Sequence, residues 1–338
     1  MMTIKNNSVW FFGLLIGLTL YSCKEDALTI PDTHIDLTLN RTENLAFGNN
    51  FEALKSSYPA FGELFYTQIV PIRQDDPQVI DEEWQSFKND PFIRELKAKV
   101  DSLFSDFSQE EKSLKYGLNN AQQVGIIDQI PKIYTFVSGL AYQCFLFDDD
   151  ENEGIGIGLD MFLGDAFPYE QLAPQNPSFS RYLSRTFNKE HITKKVIETI
   201  IADRIGDVKG NTMLDHMIHN GKSLYLLEQL LPAIPDSIIQ EYTAEQLDWC
   251  ESNQQPIWAS FIRDDLFYET DVRKFNKLVN PSPGSPGMPD VAPGRTANFI
   301  GSKIVSAFMS KNPNLSLNDL ILWQDSQEIL DKSKYKPR

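Results

Sequence analysis

Four histidines, three cysteines and one glycine-rich stretch are where this 338-residue chain could carry out chemistry. His216 and His219 stand three residues apart beside Asp215. That spacing sets two imidazoles on one face of a helix, within reach of one ion. Zinc would need a third ligand, and only His34 and His191 remain elsewhere. His216 and His219 are therefore weak metal candidates, and no cofactor is expected.

The stretch "EGIGIGLDMFLG", Glu153 to Gly164, follows the acidic run "DDDENE". A dinucleotide cradle needs G-x-G-x-x-G between a strand and a helix. Here the order is G-x-G-x-G, with Ile155, Ile157 and Leu159 alternating on the opposite face, which is a strand pattern. Asp148, Asp150 and Asn152 match the first ligand positions of a calcium loop. Glu153, however, stands where the sharp turn wants glycine, and Leu159 where a bidentate glutamate belongs. No G-x-S-x-G elbow and no P-loop occurs in the mature chain, so no catalytic residue is expected. In "PGRTANF", Arg295 precedes Thr296 as a helix cap, and a helix start beside an arginine attracts a carboxylate or phosphate. Trp249 and Trp258 belong either to that surface or to the core.

Cys23 has the clearest context. Lys5 and the amino terminus give a positive region, "VWFFGLLIGLTLY" from Val9 to Tyr21 an apolar core too short to span a bilayer, and Ser22 a small residue before the cysteine. This pattern is similar to the lipobox of bacterial lipoproteins. It predicts a signal peptide over 1–22, lipid on Cys23 and a polar tether over 23–34. Several acyl chains give stable attachment. Cys144 and Cys250 either pair in an oxidising compartment or remain buried free thiols. The net charge of -16 excludes nucleic acid as a natural partner.

The elements that would position these residues are mainly helical. A half-buried strand is predicted through Ile35, Leu37 and Leu39, and a helix in "NNFEALKSSYPAFGELFYTQIV". Asp90 and Pro91 open a helix with a stripe of Ile93, Leu96, Val100, Leu103, Phe104 and Phe107. "SQEE" suggests a capping box from Ser108 to Glu111 for the next helix. "KIYTFVSGLAYQCFLFD" reads as one strand or two, pairing with "GIGIGLDMFLG" as a hairpin across the acidic loop. Helices follow in "KEHITKKVIETIIADRIGDV", "NTMLDHMIHNGKSLYLLEQLLP", the segment after Asp236, and "TANFIGSKIVSAFMSKN". A flexible Pro/Gly loop is expected at 280–294. The sum is an α+β fold, a single domain over 35–338.

In order, the lipobox, "IDLTLNRTENLAFG", "ALKSSYPAFGELF", "YTFVSGLAY", "GIGLDMFLG", "LDHMIHNGKSLYLLEQLLP" and "PGRTANFIGSKIVSAFMSKNP" resemble the GldB family, the gliding-motility lipoproteins of the Bacteroidetes. That family is similar in turn to predicted zinc peptidases, in which a like hairpin precedes a helix bearing HExxH and a later helix supplies a glutamate before a glycine. Here "KKVIETIIADRIG" keeps Glu198 without either histidine, and Asn220 precedes Gly221 where that glutamate would fall. The resemblance implies a degenerate zincin-like peptidase fold that binds and does not cleave. The protein would be a membrane lipoprotein on the periplasmic side, the outer membrane favoured, with protein partners in the gliding or envelope machinery. A divergent zinc metallopeptidase and a periplasmic ligand-binding lipoprotein are the alternatives. Gly156 and Gly158, where glycine leaves the backbone accessible to an extended partner, join Arg295 and Thr296 as the candidate binding surface.

Overall fold

A computed structural model describes residues 30–48, 52–70, 77–150, 152–172 and 176–337; the expected signal peptide and Cys23 lie outside them. The strand pattern around the glycines holds. Asn152–Gly158 forms β4, antiparallel to β3 (Cys144–Asp149) across the acidic turn and parallel to β2 (Lys132–Phe136). A short β1 (Leu39–Arg41) lies parallel to β2, completing a mixed sheet in the order β1-β2-β4-β3. This β1 sits later in the chain than the alternation through Ile35 and Leu37 suggested.

The two faces of the sheet explain the sequence of β4. On one face Ile133, Ile155 and Ile157 enter the main core. On the other, Tyr134 and Phe136 of β2 flank Gly154, Gly156 and Gly158, while Phe147 and Phe145 stand opposite Gly154 and Gly156 on β3. A Cβ at Gly154 or Gly156 would meet those rings at 2.4 Å, and one at Gly158 the Tyr142 carbonyl oxygen at 2.0 Å. The glycines thus leave room for aromatic rings laid across the strand, the covering of strand glycine by cross-strand aromatics. Phe61 stacks on Tyr134 with centroids 5.0 Å apart, and Phe65 and Trp84 complete a second, aromatic cluster there.

Helices make up the rest, and the α+β class is as expected, 59% helical with this small sheet. Asp90 caps the Pro91–Leu103 helix by accepting from the Phe92 and Ile93 amides, and Ile93, Leu96 and Val100 are buried. The Ser108–Gln123 helix lacks the expected capping box: Ser108 is already helical, and its amide donates to Asp106. A helix over Pro77–Asn89 was not foreseen. Thr212 and Asp215 form a reciprocal capping box for the Met213–Leu230 helix. That helix crosses Thr296–Lys311 with Gly221 against Gly301: a Cβ at Gly301 would lie 2.1 Å from the Met217 carbonyl oxygen. Two glycines thus let the helix backbones touch. No helix among the described residues is long and apolar enough to cross a membrane.

The Pro/Gly segment 280–294 has no regular secondary structure but is tied down. Ser285 Oγ donates to the Pro293 carbonyl at 2.6 Å, and Tyr242 Oη donates to the Gly294 carbonyl at 2.8 Å.

Candidate functional site

The Ile192–Ile205 helix buries Ile192, Val196, Ile197, Ile200 and Ile201 and packs against the Ser108–Gln123 helix and β3. Lys194 and Lys195 lie four and three residues before Glu198, the spacings that bring side chains together on a helix. Lys194 Nζ donates to Glu198 Oε1 at 2.6 Å and to Glu241 Oε1 at 2.7 Å. Lys195 Nζ donates to Glu198 Oε2 at 3.1 Å and pairs with Glu241 Oε1 at 2.5 Å.

Glu241 ends the Asp236–Gln240 helix in a left-handed conformation, φ 54°. Its other oxygen accepts from Arg295 Nη1 at 3.0 Å, and Arg295 Nη2 donates to the Gln240 carbonyl at 2.9 Å. Arg185 Nη2 donates to the Glu241 carbonyl at 2.6 Å. Three cations, Lys194, Lys195 and Arg295, therefore meet two carboxylates, with Arg185 beside them on the Glu241 carbonyl.

Burial would raise the Glu241 carboxyl, but Lys194, Lys195 and Arg295 overcome it and hold the group well below its usual range. Burial likewise opposes ionisation of Glu198, which the two lysines keep charged. Burial pulls the Lys194 amine below its ordinary value against the opposing pull of both carboxylates, to which it donates at 2.6 and 2.7 Å. Beside them, burial lowers His191 to about 4, so the ring is neutral near pH 7.

The Glu198 side chain, about a third exposed at 32%, opens onto a cavity of about 210 Å³ that Asn220, Ser223, Tyr242, Arg295 and Asn298 also line. Asn220 Nδ2 donates to the Val279 carbonyl and to Asn298 Oδ1, at 3.1 and 3.0 Å. A second cavity, of about 790 Å³, lies around Phe167, Tyr182 and Arg185. Tyr242 faces the first and Thr243 the second, so the 241–243 segment is part of both walls.

Zinc does not fit these residues. An HExxH reading of Glu198 puts the imidazoles at Ile197 and Ile201, both without exposed surface. Their hydrocarbon cannot ligate, and Glu198 is satisfied by two ammoniums. No cluster of three metal-ligating side chains forms among the described residues, so His216 and His219 gain no third ligand. His216 packs on Phe275, and His219, lowered to about 4 by burial, lines a small cavity with Lys222.

Of the other candidates, Arg295 reaches the site whereas Thr296 does not. Arg295, in the left-handed region at φ 61°, is itself the N-cap of the Thr296–Lys311 helix, correcting the expected Thr296 cap. Thr296 is fully buried, its hydroxyl 2.8 Å from Ser285 Oγ. Gly156 and Gly158 form no free edge, because β4 is hydrogen-bonded on both sides; the unpaired edge among the described strands beside the Ile192–Ile205 helix belongs to β3. Trp258 packs on Phe267 and Tyr335, and Trp249 is a partly buried neighbour of the core. Cys144 and Cys250 are free thiols, each raised to about 12 by burial.

A family model described as gliding motility protein GldB matches residues 23–337, nearly the whole chain. The chain belongs to the GldB family. No curated protein and no solved structure matches it. The family's gliding-motility description agrees with the resemblance drawn from the sequence, and the match starts at Cys23.

Sequence reasoning missed Glu241 and both lysines as parts of the site. The Lys194/Lys195-to-Glu198 spacing was a readable signal; Glu241 arrives through a tertiary contact 43 residues beyond Glu198.

Proposed function

We propose that the protein is a non-catalytic lipoprotein of the gliding or cell-envelope machinery, held to the membrane through Cys23 and acting by binding another protein. The family and a match beginning at Cys23 support the anchor and the setting. Six residues separate Cys23 from the buried Ile30, a reach of at most about 25 Å, so the domain would work close to the bilayer.

The observation that carries the non-catalytic reading is the state of Glu198. A general base must be free to accept a proton near neutral pH. Glu198 instead accepts from two lysines and is held below its usual range. Protein binding is best placed at β3, whose outer edge pairs with no described strand and presents backbone groups to an extended segment.

Complementation in a gliding host lacking its own family member tests this reading. Glu198→Gln should support movement like the parent, while Cys23→Ser should lose palmitate labelling and movement together. Cleavage of casein by the purified parent that Glu198→Gln abolishes would overturn the non-catalytic assignment; unimpaired movement by unlabelled Cys23→Ser would overturn the anchor.

A further inference from the structure

The charge balance around Glu241 is unequal. Lys194, Lys195 and Arg295 face only Glu198 and Glu241, the half-buried Arg185 lies against the Glu241 carbonyl and Gln246, and His191 beside them is neutral. The next acidic group, Glu228, accepts from Gln240 and lies in the field of Lys303, which itself pairs with Glu251. Charge taken out of water in excess of its partners is unfavourable unless a counter-ion meets it. A buried surplus of cations beside an open cavity, in a chain of net charge -16, marks a place for an anion.

The cavity also holds unused donors. Arg295 commits one Nη1 hydrogen to Glu241 and Nη2 to backbone carbonyls, leaving Nε–H and one Nη1–H without a partner among the described residues. Ser223 Oγ, in the same cavity, makes no hydrogen bond there either. A guanidinium with two free N–H groups is suited to a carboxylate.

We infer that the Arg295–Ser223 cavity takes the carboxylate at the C-terminus of a protein segment laid along β3. This rests on the protein-binding reading for the source of the carboxylate, not for the site itself. The strand's ends select the direction. β3 packs against the Ile192–Ile205 helix, and Cys144, where it begins, lies in the field of Lys195 and Glu198 on that helix; the far end carries the exposed Asp148 and Asp150, Asp149 there being paired with Lys132 and Tyr134. A segment antiparallel to β3 brings its carboxylate toward the cations; a parallel one brings it to the exposed Asp148 and Asp150, where like charges repel.

The test is fluorescence anisotropy with the full-length, membrane-extracted protein in non-ionic detergent. The probe is a fluorescein-labelled Thr-Val-Thr-Val-Ala peptide, with a free C-terminal carboxylate or as its amide. The free acid should bind about tenfold or more tightly than the amide, as charge-assisted hydrogen bonds require. Arg295→Gln should bring the acid-to-amide ratio to about one. Because Arg295 also holds Glu241, Ser223→Phe provides a second variant that fills the cavity and leaves the ion cluster alone; it should abolish the acid's advantage while the melting temperature stays at the parent's value. Equal binding of acid and amide, an acid preference that survives Ser223→Phe, or displacement by phosphate but not by the free-acid peptide would overturn the proposal. Equal binding of acid and amide by a parent protein that supports normal movement in complementation would sink the carboxylate site alone and leave the functional reading standing.

Discussion

Replacing Glu241 by glutamine tests whether the ion cluster holds its part of the fold together. The side chain is only 7% exposed, and Lys194, Lys195 and Arg295 all converge on it. Glutamine keeps the shape and one acceptor oxygen but removes the charge, leaving Lys194, Lys195 and Arg295 with Glu198 as their one carboxylate. Breaking a buried pair by neutralising one partner costs about 3–5 kcal/mol, and a shared partner does not multiply that figure, because the cations already repel one another. A loss of about 3–5 kcal/mol is a large fraction of the roughly 5–15 kcal/mol that domains possess.

Urea unfolding followed by tryptophan fluorescence reads it directly. Adding Lys194→Met to Glu241→Gln should recover about 1 kcal/mol or more, since the second change removes an orphaned cation. The pH dependence has a defined sign. The folded carboxyl is lowered below the unfolded value of 4.5, so the unfolded chain takes up the proton first. Its stabilisation is complete above pH 4.5 and is lost as pH falls below it. The parent's advantage over Glu241→Gln should therefore shrink only in that acidic range. A Glu241→Gln protein within about 1 kcal/mol of the parent at pH 7 would refute the reasoning.

His191, lowered from 6.5 to about 4 by burial, acts in a higher window. The unfolded ring protonates first, so stability falls as pH drops from 6.5 towards 4, by roughly 3 kcal/mol at most, and His191→Gln should flatten that part of a urea-midpoint-against-pH curve. Gly301→Ala drives a methyl into the Met217 carbonyl and should destabilise by about 1–3 kcal/mol or more, seen as a lowered thermal midpoint. Gly156→Val should disturb the aromatic cluster against Phe145, with a changed near-ultraviolet circular dichroism and a loss of similar size; an unchanged spectrum and midpoint would contradict the packing described. Asp160 accepts from the Ser138 and Leu140 amides, so Asp160→Asn, which turns an acceptor into a donor, should cost about 1–3 kcal/mol in the same melts.

The fold was legible wherever a residue's neighbours in sequence are also its neighbours in space. The stripe of Ile93, Leu96 and Val100, the Asp90 cap and the alternation of Ile155 and Ile157 each carry their own period, and each element formed. The reading failed where partners come from afar. Gly156 and Gly158 suggested an accessible backbone because what covers them, the Phe145 ring and the Tyr142 carbonyl, comes from outside their own strand. The 77–89 helix was passed over because its apolar residues are few and its cover is supplied by the aromatic cluster. At the site, Glu198 and Arg295 were singled out on separate grounds, and nothing local reveals that Glu241 joins them.

The contact of Gly221 with Gly301 has a dynamic consequence for the cavity. Asn220 and Asn298 stand next to and three residues before those glycines, and they bond each other and the Val279 carbonyl. Two helices locked backbone to backbone have no side-chain slack in which to slide. The wall they form is a fixed jaw, to which the Val279 carbonyl is bonded as well. A pocket with one wall already set spends little ordering entropy on capture. Its selectivity would then come from shape and charge already in place, with no closure of the two helices required.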